Sequence, residues 1–427
     1  MANKSKQWAA IIMMIALFAM IAFVTNLCSP MATIVKNQFG ASEAAGQIGN
    51  YANFIAYLLM GIPSGMQITK MGYKKTALAA LVVGIIGLVI EYLSGQIGGD
   101  GAYWIYLLGA FISGMCMCML NTVVNPLLNV LGGGGKTGNQ LIQIGGAFNS
   151  AAAVAVYILM GALIGEVTKD TMISDAAPAM FIALGIFIVA FIVLLFTKIE
   201  EPEQAPMEMS LIPGALKFRH FALGALAIFL YMSVEVGTPT YMISYLQTPE
   251  IGVTAGVAAL IASVYWLMMF IGRSIGGAIG GKVSSRAMVS VVAAVAVLLL
   301  LFGMFAPTDI KVSVPGIDWA NLSVMWTPVP VGVFAFILVG LCTSVMWGGI
   351  FNMAVEGLGK FTAAASGIFM TMVFGCAVMV ALQAIVADKV SILSSYWIPV
   401  ACAAYILFYA LIGSRPTQKA EDAENAE

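Results

Sequence analysis

The sequence predicts an all-α polytopic membrane protein with twelve transmembrane helices in two six-helix bundles. Three observations predict it. Of 427 residues, 61% are hydrophobic and only 9% charged, against about 25% charged in a soluble domain, too few to cover a water-facing surface. Apolar runs recur from end to end, each near or above the ~20 residues that cross a bilayer as a helix. Finally, the basic residues segregate. Twelve spans place Lys4, Lys6, Lys70, Lys74, Lys75, Lys136, Lys198, Lys217, Arg219, Arg273, Lys282, Arg286, Lys360, Arg415 and Lys419 on or near one side, and only Lys36, Lys169, Lys311 and Lys389 on the other. That asymmetry makes both termini cytoplasmic.

The spans follow in order. Span 1 (8–34) comes after Lys4 and Lys6 and is too long for a signal-peptide core; it carries Thr25, Asn26, Ser29 and Pro30. Span 2 (45–68) carries Gln47, Asn50, Asn53 and Tyr57 at helical spacing, and span 3 (76–96) follows a basic loop. Span 4 (103–131) carries Asn121, Asn125 and Asn129, with Pro126 beside the second. Span 5 (138–164) opens with Asn139, Gln140 and Gln143, then Gly145, Gly146 and Asn149; span 6 (178–197) is almost wholly apolar. A charged, proline-bearing linker (198–218) separates the halves. Span 7 (219–246) begins at the single histidine, His220, and carries Tyr231, Glu235, Thr238 and Pro239. Span 8 (253–280) carries Tyr265, Trp266 and Arg273, the one basic residue inside a span, toward its cytoplasmic end. Span 9 (286–306), span 10 (329–355, with Trp347 and Asn352), span 11 (363–387), span 12 (392–413) and a tail (414–427) complete the chain. The expected units are a bundle at 1–197, the linker at 198–218, a second bundle at 219–413 and the tail.

The halves read as a repeat. Span 4 ends in NPLLNVLG (Asn125 to Gly132) and span 10 in NMAVEGLG (Asn352 to Gly359), each with a lysine soon after. Spans 2 and 8 are each followed by a short, glycine-flanked basic loop, GMQITKMGYKK and GAIGGKVSSR. Repeated halves with a binding site between them near the midplane are how many secondary transporters are built. GGGGKTG at 132–138 resembles a phosphate-binding loop, but position 130 is Val130 rather than glycine and a spanning helix precedes it instead of a strand. It reads as a connection between spans.

An enzyme is disfavoured because no nucleophile–base set or metal cluster is legible, and no cofactor or nucleic-acid partner is expected. The six cysteines (Cys28, Cys116, Cys118, Cys342, Cys376, Cys402) all fall in spans without a CxxC pair, so they read as packing residues. Polar residues in hydrocarbon face the bundle interior. Amides donate and accept hydrogen bonds, and Trp or Tyr offers a flat apolar face with a polar handle. Such a cavity suits a neutral polyol, whereas a nucleotide or dicarboxylate calls for Arg or Lys. The candidate substrate-binding set is Asn26, Asn50, Asn53, Asn121, Asn125, Gln143, Asn149, Trp266, Trp347 and Asn352. Glu235 stands as the lone deep carboxylate, the other nineteen acids being expected in loops, tails or span ends. It is the candidate cation-coupling residue, able to carry a proton or to help hold Na⁺.

The motifs GIPSGMQITKMGYKK (61–75), NTVVNPLLNVLG (121–132), AFNSAAA (147–153), FLYMSVEVGT (229–238), FIGRSIGG (270–277) and IFNMAVEGLGKFTAAASG (350–367) resemble the fucose/glucose/galactose permease branch of the major facilitator superfamily, the L-fucose–proton symporter family. The resemblance implies the major facilitator fold and a sugar porter. It also shows departures. The family's fucose-type members have an Asp four residues before the span 1 proline and a Glu four residues before the span 4 Asn-Pro; the equivalents here are Asn26 and Asn121. Those two carboxylates are implied in proton coupling and sugar recognition, and here both are amides. A Gln before the span 5 FNS is replaced by Gly146, while Glu235 fits the glucose/galactose-like members.

The expected activity is import of a neutral monosaccharide (hexose, deoxyhexose or amino sugar) by alternating access. Cation-coupled symport is expected first, with a proton ahead of Na⁺; an uncoupled facilitator and an exporter of another small solute are the alternatives. The expected setting is a monomer in the lipid bilayer of the plasma (inner) membrane.

Overall fold

The computed structural model describes residues 4–39, 43–97, 99–132, 135–165, 167–168, 170–199, 201, 209–279, 282–318 and 323–416. Most of the linker's charged stretch and the tail beyond 416 lie outside the described residues, as do the side chains of Ser29 and Asn139. Within them, twelve long helical segments follow the expected order: span 1 Lys4–Phe39, span 2 Ile48–Met71, span 3 Tyr73–Ile97, span 4 Asp100–Leu131, span 5 Gly135–Ile164 and span 6 Ala177–Phe196. After a short helix at Leu211–Lys217 come span 7 from Arg219, span 8 Ala255–Ile279, span 9 Ser285–Phe305, span 10 Gly332–Ala354, span 11 from Thr362 and span 12 to Gly413. Eleven are long and apolar enough to cross a membrane. Span 2 has 24 residues and length to spare, but its amides, Asn50, Asn53 and Gln67, lower its apolarity.

The first six spans pack chiefly on one another, as do the last six, and the halves meet along spans 2 and 11 and along spans 5 and 8. That crosswise pairing is what two equivalent bundles side by side produce. At one crossing, a Cβ added to Gly61 would lie 2.5 Å from the backbone nitrogen of Thr371 on span 11, so only glycine lets these helices approach so closely.

The basic loops noted as a repeat do the same work twice. Lys74 at the start of span 3 donates to the carbonyls of Leu195 (2.9 Å) and Thr197 (2.7 Å) at the end of span 6. Arg286 at the start of span 9 donates to Ser414 Oγ (3.0 Å) and to the Ser414 carbonyl (3.2 Å) beyond span 12. Each binds the third span of its half to the exit of the last, placing a cation on helix C-terminal carbonyls that lack partners of their own. In the first half Glu201 reinforces the tie by accepting from the backbone nitrogens of Tyr73 (2.7 Å) and Lys74 (3.1 Å).

Three features interrupt the run of regular spanning helices. Span 7 is interrupted by a π turn at Ser233–Gly237 and resumes at Thr238–Leu246 with Pro239 in its first turn; proline withholds one N–H from the preceding turn, where the Tyr265 hydroxyl donates to the Val234 carbonyl at 3.2 Å. Span 11 is broken between Met372 and Gly375 into Thr362–Met372 and Gly375–Lys389. An antiparallel hairpin, β1 (Lys311–Asp318) and β2 (Ser323–Pro330), joins spans 9 and 10 with Lys311 opposite Pro330 and Asp318 opposite Ser323.

Candidate functional site

Between the halves lies a cavity of about 140 Å³. A buried water needs roughly 10–15 Å³ of such space, so the cavity has room for on the order of ten waters, enough to admit a small polar solute. Its walls follow from helical periodicity. Phe18, Ala22, Thr25 and Asn26 line it from span 1 at steps of four, three and one, one face of a helix. Span 4 gives Asn121 and Asn125, one turn apart, and span 5 gives Gln143, Gly146 and Asn149, three residues apart. The second half contributes Glu235 from the π turn of span 7, Trp266 and Arg273 from span 8, and Ser344 and Trp347 from span 10.

Internal bonds set several of these side chains. Asn121 Nδ2 donates to Tyr57 Oη at 2.9 Å, and Asn125 Nδ2 to the Asn121 carbonyl at 3.0 Å. Asn26 Nδ2 donates to the Ala22 carbonyl at 2.8 Å, and Asn149 Nδ2 to the Phe18 carbonyl at 2.8 Å. Trp347 is stacked on Phe351 and met edge-on by Phe369. Three buried polar atoms of the lining have no protein partner: Thr25 Oγ1, Asn125 Oδ1 and Trp266 Nε1. Buried polar groups are satisfied in nearly all native structures, so a hydroxyl, an acceptor and a donor on residues of one cavity wall lack a partner that the protein itself supplies.

The charges of the lining cancel. Arg273 Nη2 lies 3.6 Å from Glu235 Oε1, with both side chains largely buried. Arg273 Nη1 also crosses to the other half, donating to the Gly146 carbonyl (2.6 Å), to Ser150 Oγ (3.0 Å) and to Asn149 Oδ1 (3.3 Å). A Cβ on Gly146 would lie 3.2 Å from Arg273 Cδ, so glycine at this position gives the guanidinium its room. The sequence reading set Arg273 apart at the cytoplasmic end of span 8. Its position seven residues after Trp266, the same helical face two turns on, was the signal that it shares the cavity.

The structure brings Asn26, Asn121, Asn125, Gln143, Asn149, Trp266, Trp347 and Glu235 together at this cavity. Asn50, Asn53 and Asn352 lie elsewhere. Asn53 is fully buried and donates to Cys28 Sγ at 3.3 Å, because span 2 passes so close to span 4 that a Cβ on Gly114 would overlap the Asn53 carbonyl. Asn50, one turn farther from the cavity than Asn53, is likewise buried. Asn352 is exposed near the end of span 10, one turn below Gly348 of the cavity wall. Asn129, the third amide of the span 4 stripe, packs at the turn into span 5 against Gly138. Nor is Glu235 the only acid buried within a span. Glu91 is 4% exposed and accepts from Ser113 Oγ at 2.7 Å. The reason is the crossing of spans 3 and 4, where a Cβ on Gly109 would sit 2.6 Å from Glu91 Cγ; glycine removes the bulk that would hold the helices apart.

Comparisons with known proteins place this geometry. A model of the Major Facilitator Superfamily matches residues 13–381. A glucose/galactose transporter of Brucella abortus biovar 1 (strain 9-941) is 27% identical over 408 residues, spanning 93% of this chain and 92% of that protein. An L-fucose-proton symporter of Escherichia coli (strain K12) is 22% identical over 427 residues, spanning 94% and 92%. The crystal structure of FucP, a major facilitator transporter in the outward conformation, superposes with a TM-score of 0.74 at 21% identity, over 96% of this chain and all of that one.

Proposed function

The chain belongs to the major facilitator superfamily, and from that premise we propose that it imports a neutral monosaccharide by alternating access, in symport with a cation. The observation that carries the substrate class is the set of unpartnered hydrogen-bonding atoms, Thr25 Oγ1, Asn125 Oδ1 and Trp266 Nε1, on the wall of a cavity whose two charges among the described residues, Glu235 and Arg273, face each other. A hydroxyl both donates and accepts, so a polyol satisfies all three, while an anion or cation would disrupt the pair. The Trp266 and Trp347 rings supply apolar faces for a sugar ring. The binding set under this reading is Asn26, Asn121, Asn125, Gln143, Asn149, Trp266 and Trp347, with Asn50, Asn53 and Asn352 outside it. The names of the relatives, glucose/galactose transporter and L-fucose-proton symporter, support a sugar.

Coupling is assigned to Glu235. Its charge holds one side of the Arg273 guanidinium through Nη2 while span 5 holds the other through Nη1, so the guanidinium ties the two halves together. A cation that neutralises Glu235 removes its pull on Arg273. The state of one carboxylate thereby changes a contact between the halves, as coupling requires. A proton is favoured over Na⁺, since Arg273 already occupies one side of the carboxylate. The bilayer concerned is the plasma (inner) membrane, with both termini cytoplasmic by the lysine and arginine distribution, and the unit is the monomer. Counterflow of labelled glucose, galactose and fucose into proteoliposomes tests the function; absence of exchange with every neutral sugar refutes it.

A further inference from the structure

A second cavity, of about 250 Å³, lies between the halves nearer the end opposite the termini. It is lined from span 1 by Thr33, from the start of span 2 by Gln47, and from the end of span 7 by Thr240, Ser244, Gln247 and Thr248. We propose that this vestibule is a weak sugar-binding site, which the substrate occupies on its way from outside to the central cavity. The inference rests on the sugar reading above.

Its register supports it. Thr33 lies seven residues beyond Asn26 of the central cavity on span 1, Ile243 seven beyond Val236 on span 7, and Gln47 seven before Phe54 on the oppositely running span 2. Seven residues are two helical turns, about 10 Å, so the same faces of the same three helices line both cavities. The vestibule stands directly outside the central site, with walls drawn from both halves.

Its chemistry points the same way. Among the described residues, hydroxyls and amides dominate the lining, and the charged one, Lys36, already has an interaction partner. Gln47 is 8% exposed, and its Oε1 has no hydrogen-bond partner. An amide buried to that extent at a cavity wall awaits a donor, and a sugar hydroxyl is one. Among the described residues no aromatic ring lines the cavity, so ring stacking is missing there and binding is weaker than at the central site.

The test is sided. Labelled galactose uptake is measured in right-side-out and inside-out vesicles for the wild type, Gln47→Ala and Gln247→Ala. The expected result is a rise of about three- to tenfold in KM for entry from outside at unchanged Vmax, the loss of one neutral hydrogen bond, matched, as equilibrium across the membrane requires, by an equal fall in the Vmax for entry from inside at unchanged inside KM. An unchanged outside KM in both variants means that the vestibule holds only water, and overturns the proposal. So does a KM that rises equally from both sides, which marks damage to the shared central site. If the wild type exchanges no sugar at all, the sugar reading itself fails and takes this inference with it, so the two failures are distinct.

Discussion

Replacing Glu235 by Gln removes the charge while keeping the size and hydrogen-bonding capacity of the side chain, and so mimics a permanently neutralised carboxylate. Arg273 then loses its counter-ion at 3.6 Å but keeps its three acceptors on span 5. Residues in contact in one charge network couple by about 0.5–3 kcal/mol, and this largely buried pair at 3.6 Å is such a contact. The variant should therefore shift the balance between conformations that keep and break the span 5 contacts by roughly tenfold, near the middle of that range. The sharper consequence concerns energy conversion. One pH unit is equivalent to about 1.4 kcal/mol, enough for a one-proton symporter to concentrate sugar about tenfold. Wild-type proteoliposomes under an imposed gradient of one unit should approach that ratio, and Glu235→Gln should fall to no accumulation while retaining counterflow. Repeating the measurement under an imposed Na⁺ gradient distinguishes the two cations. If the mutant concentrates sugar as well as the wild type does, Glu235 is not the coupling residue and the mechanism is wrong.

Four further outcomes follow from the geometry. Asn125→Ala removes an open acceptor of the cavity and should weaken sugar binding by about tenfold, the upper end for a lost neutral hydrogen bond, whereas Asn352→Ala should change affinity less than about twofold; calorimetric titration of the purified protein with sugar compares them. In a double-mutant cycle on transport rates, Glu235→Gln and Arg273→Gln should be non-additive by about 1–3 kcal/mol, and additivity would show that the 3.6 Å pair is not coupled in function. Gly61→Val places a branched side chain against the Thr371 backbone and should arrest counterflow while leaving helix content by circular dichroism unchanged; normal exchange would mean that spans 2 and 11 do not need this close contact. Glu91→Leu leaves Ser113 without its acceptor and should destabilise the protein by about 1–3 kcal/mol, seen as a lower thermal midpoint, while Glu91→Gln retains both stability and uphill uptake.

The number of spans, their order and the duplication of the halves were legible in the sequence, because each depends on local composition: hydrocarbon selects apolar runs of fixed length. The amide face of span 4 was legible for a similar reason, since Asn121 and Asn125 one turn apart must share a side of their helix. So was the double use of the basic loops, although only the structure shows Lys74 and Arg286 binding the exits of spans 6 and 12. Tertiary packing decided what periodicity cannot, namely the depth and facing of each stripe. Asn50 and Asn53 lie on the same helix as Tyr57, yet the close approach of span 2 to Gly114 turns them into the bundle and away from the cavity. Glu91 reads as a residue near a span end until the glycine-lined crossing of spans 3 and 4 buries it. Arg273 and Glu235 are 38 residues apart in sequence. Only the packing of spans 5, 7 and 8 brings the guanidinium between the carboxylate and the Gly146 carbonyl, since contacts between helices depend on their crossing angles and small-residue seams rather than on any one segment's pattern.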